Sequence, residues 1–218
     1  MSAAAVMDSI ARQKKHWSQS RSACSLRNAP TKTWLDAGIP PARMAVHVSS
    51  LQFRTPVGLG NDIAAILAQT GLPPQLLELE ITESVLRDAS PERSEVLQSI
   101  RKTGVTIAID DFGTGYSSLD YLRRFPSDRI KIARTFVKHL ESAPANAAIV
   151  RATISLAREL GIAVIAEGIE TPGELELLKG WGCAEAQGFH FATPLTAENA
   201  AILLRRSETL QLRPSAQG

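Results

Sequence analysis

Two adjacent carboxylates, Asp110 and Asp111, follow the β-branched-rich run Val105-Thr106-Ile107-Ala108-Ile109 and precede a glycine-punctuated turn, Phe112-Gly113-Thr114-Gly115. Like charges about 4 Å apart repel by roughly 4 kcal/mol even at an effective dielectric near 20. Two acids at one strand end therefore need a cation, and a divalent metal is the usual partner. A solvated strand end with an ordinary glycine turn is the alternative for this motif taken alone. A dinucleotide-binding loop is excluded, because position 118 is Ser118 where a third glycine is needed, and the two aspartates would repel a pyrophosphate.

The remaining reactive side chains recur at comparable places. Glu80 and Glu83, Lys131, Glu167 and Glu170, and Gln187 each lie at or just past the C-terminal end of an expected strand. Strands are expected over residues 44–49, 77–81, 105–111, 129–132, 163–166 and 186–191. Helices are expected over 62–69, 91–102, 117–124, 145–160, 172–181 and 197–206. This βα repeat of about 23 to 33 residues means a parallel sheet with right-handed crossovers, either a (β/α) barrel or a doubly wound sheet. A barrel brings all its strand C-termini to one face, whereas a doubly wound sheet collects two or three of them at its switch point. Acids, a lysine and a glutamine at so many strand ends favour the barrel.

The composition, 44% hydrophobic and 21% charged over 218 residues, suits one globular α/β domain. A formal net charge of +2 gives no reason to expect a nucleic-acid polymer or a membrane surface as partner. No apolar run approaches the roughly 20 residues of a membrane span. Cys24 and Cys183, far apart in the chain, suggest reduced thiols and a cytoplasmic setting. Residues 1–33 carry a small basic cluster around Lys14 and Lys15 and a serine-rich stretch, with no sustained periodicity. They are expected to be a divergent, poorly ordered segment, with the barrel domain at 34–206 and a disordered tail at 207–218.

Five motifs, in order, carry a resemblance. Glu80-Ile81-Thr82-Glu83-Ser84, residues 110–119 from Asp110-Asp111-Phe112-Gly113 onward, Ile130-Lys131-Ile132, Ala166-Glu167-Gly168-Ile169-Glu170 and Gln187-Gly188-Phe189 resemble the EAL family. Its members are cyclic di-GMP phosphodiesterases, or inactive relatives, on a TIM-like barrel. The resemblance implies hydrolysis of cyclic di-GMP to linear pGpG with two magnesium or manganese ions. It implies metal ligation by Glu80, Asp110 and Asp111, and a lysine, Lys131, that orients the attacking water. It implies a role for Glu167 as ligand or general base, for Gln187 near the metal site and for Glu170 as a supporting acid. It also implies that Glu83 anchors the loop after Asp111, which shapes a dimer contact.

The departures bear on activity. The family's Glu-Ala-Leu strand, which lies upstream of residues 44–49, is not found, and residues 1–33 hold no glutamate. His47 stands where the resemblance implies an asparagine ligand; it is either a metal ligand itself or a hydrogen-bonded core residue. Ala133 replaces an aspartate after Lys131-Ile132, although Asp128 ahead of it survives as a supporting acid. Six strands are counted where this barrel type has eight, so the chain reads as an EAL-type barrel lacking its first two strands, with an edge open to self-association or a protein partner. Three functions follow: a degenerate module that binds the dinucleotide or a partner, an active phosphodiesterase with His47 as ligand, and a Schiff-base lyase built on Lys131. The last is disfavoured, because surrounding carboxylates raise a lysine's pKa and a nucleophilic amine needs it lowered.

Overall fold

The computed structural model describes residues 30–39, 43–50, 52, 56–87, 90–115 and 120–211. The expected disorder of residues 1–29 and 212–218 lies outside the described residues. Among the described residues, six strands form one all-parallel sheet in the order of the chain: β1 (Met44–His47), β2 (Leu77–Thr82), β3 (Thr106–Phe112), β4 (Arg129–Ile132), β5 (Ala163–Glu167) and β6 (Glu185–Gln187). Strictly sequential order decides between the two sheet types. A doubly wound sheet reverses its order at a switch point, whereas a barrel adds each strand beside the last.

The sheet curls. Neighbouring strands stand about 4.8 Å apart, so side chains two strands away meet only if the sheet bends toward them. Lys131 of β4 pairs with Glu80 of β2 across β3, and Arg129 of β4 pairs with Glu185 of β6 across β5. Alternation along each strand explains both faces. In β2, Leu77, Leu79 and Ile81 face the helices and are essentially fully buried, while Glu78 and Glu80 face the concave side. β4 repeats this, with Ile130 and Ile132 outward and Arg129 and Lys131 inward. The barrel interior is therefore a layered ion-pair network, with Glu78, Arg129 and Glu185 below and Glu80, Lys131 and Glu167 above.

Helices cover the convex side: α1 (Pro30–Asp36), α2 (Pro56–Thr70), α3 (Glu83–Arg87), α4 (Pro91–Lys102), α5 (Asp120–Arg124), α6 (Arg134–Val137), α7 (Pro144–Glu159), α8 (Pro172–Gly180) and α9 (Ala197–Gln211). Proline in the first turn starts α4, α7 and α8, where its fixed φ and missing N–H cost nothing. Their buried positions, such as Leu97 and Ile100 of α4 and Val150 and Ile154 of α7, join the main core.

Several boundaries differ from expectation. α1 crosses the expected boundary at residue 33, because Trp34 and Ile39 bury against Ala200, Ala201 and Leu204 of α9 in a second small core. α9 itself runs to Gln211, past the expected end at 206. β6 is shorter than expected and stops at Gln187. There the backbone of Gly188 lies so close to that of Ile169 that a Cβ would overlap it. No helix among the described residues is long and apolar enough to cross a membrane.

Candidate metal and phosphodiester site

The C-terminal strand ends bring His47, Glu80, Asp110, Asp111, Lys131, Glu167 and Gln187 together. His47 closes β1, and its imidazole reaches Glu80 Oε2 at 2.9 Å from Nε2 and Asp110 Oδ2 at 3.3 Å from Nδ1. Both carboxylates are buried, while the His47 side chain is 62% exposed. Hydrogen bonds first to Asp110 and then to Glu80 raise the imidazole pKa to about 10, against the opposing effect of burial. Burial alone would push Glu80 and Asp110 up, but the His47 hydrogen bonds and the charge of Lys131 outweigh it and hold both below the usual carboxylate range.

Adjacent residues of a regular strand point to opposite faces, so Asp110 and Asp111 should not share a site. The β3–β4 register shifts between Ile109 and Phe112, and Asp111 takes a left-handed φ of 52°. That conformation is costly for any residue with a Cβ, though less so for Asp. Its result is that one oxygen each of Asp110, Asp111 and Glu167 lie within 4.8 Å of one another. His47, Glu80 and Asp110 form a second group on the same criterion, with Asp110 common to both. The other oxygen, Asp110 Oδ1, is buried without a hydrogen-bond partner.

Lys131 is almost fully buried and its Nζ contacts Glu80 Oε1 and, at 2.7 Å, Glu167 Oε1. Gln187 Nε2 donates to the same Glu167 oxygen at 2.6 Å. Glu83, at the start of α3, accepts from the Gly113 N–H at 3.0 Å and the Gly115 N–H at 3.4 Å, which ties down the turn after Asp111. Gly113 is required there, since its φ is 91° and a Cβ would press on Phe136.

Two residues stand apart from this cluster. Glu170 sits three residues past β5, paired with Arg134 at the rim. Asp128 precedes β4 and so lies at the opposite end of the sheet from Lys131. It accepts from Arg101 Nε at 2.7 Å and from the Ile107 N–H at 2.9 Å, which pins α4 to β3. The structure thus does not bring Asp128 to the site.

Four supporting residues went unforeseen. Glu174 is buried and accepts from the backbone N–H groups of Glu170, Thr171 and His139, so one carboxylate joins the loops after β4 and β5. The Thr171-x-x-Glu174 capping box was its available signal. Arg134 lies 6.0 Å over the ring of the exposed Phe189 as well as on Glu170, and nothing in its sequence neighbourhood marks it. The Glu78–Arg129 pair shows as two alternating charges only once the curl of the sheet is known.

Comparison with known proteins agrees with this architecture. The family model described as "EAL domain" matches residues 21–194. The cyclic di-GMP phosphodiesterase PA2567 of Pseudomonas aeruginosa is 44% identical over 168 residues, covering 76% of this chain and 28% of that protein. The crystal structure of the EAL domain of Mycobacterium smegmatis DcpA superposes with a TM-score of 0.80 at 37% identity, over 86% of this chain and 84% of that one. The PaMucR phosphodiesterase in complex with c-di-GMP gives 0.75 at 39% identity, over 81% and 72%. The chain spans about 19% to 38% of the length of the curated relatives it matches. With its sequential parallel sheet, its convergent strand ends and a family match over most of its length, this chain belongs to the EAL domain family.

Proposed function

We propose that this chain recognises cyclic di-GMP at the carboxylate end of its sheet with the help of divalent metal ions, and that it hydrolyses the dinucleotide weakly. The observation that carries the reading is the gathering of His47, Glu80, Asp110, Asp111 and Glu167 in two groups that share Asp110, whose Oδ1 is buried without a hydrogen-bond partner. A buried acceptor left unpaired is costly, and a hard cation satisfies it. The donor set therefore fits a divalent ion. His47, Glu80 and Asp110 would hold one ion, and Asp110, Asp111 and Glu167 a second, with magnesium or manganese as the expected species.

Bound metals supply two things, a lowered pKa for water and neutralisation of charge on the phosphodiester oxygens. The chain's own groups supply the rest. Lys131 offers a cationic donor at the floor of the site. Gln187 fixes the rotamer of Glu167 through their hydrogen bond, leaving that carboxylate placed to accept a proton. Glu83 holds the backbone that presents Asp111. Glu170 and Arg134 flank the rim, where a charged substrate would enter.

Weak hydrolysis is supported by how the carboxylates are already engaged. Glu80 gives one oxygen to Lys131 and the other to His47, and Asp110 Oδ2 also faces His47. A metal pair must break the Lys131 contact with Glu80 and take the place of the His47 hydrogen bonds before it can act. A cytoplasmic setting is compatible with the free thiol of Cys183.

The second reading is full phosphodiesterase activity, favoured by a His47 imidazole that stands beside both Glu80 and Asp110, where it could replace the family's asparagine ligand without loss. Chromatographic assay of linear pGpG formed with magnesium or manganese separates the two. Turnover far below the enzyme median of about 10 s⁻¹ is expected. Robust turnover that disappears in Lys131→Ala would establish the second reading.

A further inference from the structure

We propose that His47 gives this site an imidazole ligand and so makes its metal pair unequal: a transition-metal ion of the zinc class beside His47, and an oxygen-preferring ion at Asp111 and Glu167. The inference rests on the metal-site reading above and concerns which ions that site accepts. Two ligands bonded to one zinc-class ion at about 2.0–2.1 Å stand roughly 3 Å apart. One ion uses a single ring nitrogen: His47 Nε2 to Glu80 Oε2, at 2.9 Å, or His47 Nδ1 to Asp110 Oδ2, at 3.3 Å, is an edge of that length, and one ligand atom from each of His47, Glu80 and Asp110 lies within 4.8 Å of the others. Asp110 adds the independent sign of a ligand, because its side chain is 7% exposed and its Oδ1 has no partner.

Donor chemistry then separates the two groups. Magnesium demands oxygen ligands and gives up its water reluctantly, and calcium takes six to eight oxygens. Imidazole nitrogen suits zinc, iron, nickel and copper. The group of His47, Glu80 and Asp110 is one nitrogen and two carboxylates, the three-ligand pattern of a zinc-class site with an open position. Asp110, Asp111 and Glu167 offer oxygen alone. Each ring nitrogen of His47 faces a carboxylate, so whichever binds an ion, the other can donate to the opposite acid and hold the ring in plane. The exposed position of the imidazole leaves the open coordination side toward solvent, where a ligand could enter.

The test is competitive chelator titration of the full metal-free chain with zinc and, separately, with magnesium, read by affinity and by thermal shift. His47→Asn and Asp110→Asn are compared with wild type. His47 is exposed, so its replacement is not expected to disturb folding, and circular dichroism checks this. Wild type should bind zinc more tightly than magnesium. His47→Asn should weaken the tightest zinc site at least about 10-fold while changing magnesium affinity less than about threefold. Asp110→Asn should lose the same zinc site, which identifies it among the other histidines. Cobalt bound in place of zinc should show absorption bands that shift in His47→Asn. An unchanged zinc-to-magnesium ratio in His47→Asn overturns this inference and leaves the metal-site reading standing. Failure of wild type to bind any of these ions overturns both.

Discussion

Lys131 is 2% exposed and lies between the carboxylates of Glu80 and Glu167. Removing one partner of a buried ion pair costs about 3–5 kcal/mol, because the other charge is left uncompensated, whereas an exposed pair is worth about 0–1 kcal/mol. Lys131→Met should therefore lower the stability of metal-free protein by about 3–5 kcal/mol in urea unfolding, and divalent ions should restore part of it. A loss below about 1 kcal/mol would mean that the carboxylates relax into water. Glu78 sits one layer lower. Burial raises its pKa from 4.5 to about 7, against the pull of Arg129 and Lys131. The folded chain thus binds this proton more tightly than the unfolded one. The stability linked to it is fully present below about pH 4.5 and is lost as pH rises through about 7. Glu78→Gln removes this dependence, so the variant should gain on wild type by on the order of 2 kcal/mol between pH 5 and pH 8. The same stability difference at both pH values would contradict the assignment.

At the scale of elements, the site depends on one irregularity. The sequence offers Asp110 and Asp111 side by side, and a regular β3 would send them to opposite faces; the bulge and the left-handed Asp111 bring them back together. The alternation of residues in β3 does not announce that bulge, which shows only in the pairing of β3 with β4. What was legible is local: Pro91 and Pro172 open helices where expected, and four inward acids and Lys131 fall at strand ends. What was not legible is tertiary. α1 was missed because its apolar side, Trp34 and Ile39, finds its partners only in α9 at the other end of the chain. The place of Asp128, away from the strand ends, has a similar cause: closeness to Lys131 in sequence is not closeness in a strand that carries the two to opposite ends. The α1–α9 contact joins the helix before the first strand to the helix after the last. Trp34→Ala should cost about 3 kcal/mol, the lower end for a buried aromatic, since the cluster is small. A change below about 0.5 kcal/mol would show that the contact contributes nothing to the fold.

The molecule as a whole is a curled parallel sheet whose inner face carries charge and whose outer face carries the apolar core. This inverts the usual economy of a small domain, because every inward acid is costly unless a cation or metal answers it. Arg129 and Lys131 answer the lower layers, and the acids at the rim above them are where the proposed divalent ions would sit. That is the central claim, and it is tested most directly by equilibrium binding of cyclic di-GMP to the chain with manganese and with excess chelator, in wild type and in Asp110→Asn. Saturable one-site binding that requires manganese and is lost in Asp110→Asn is the predicted result. Binding of equal strength in chelator, or undiminished binding in Asp110→Asn, would contradict it.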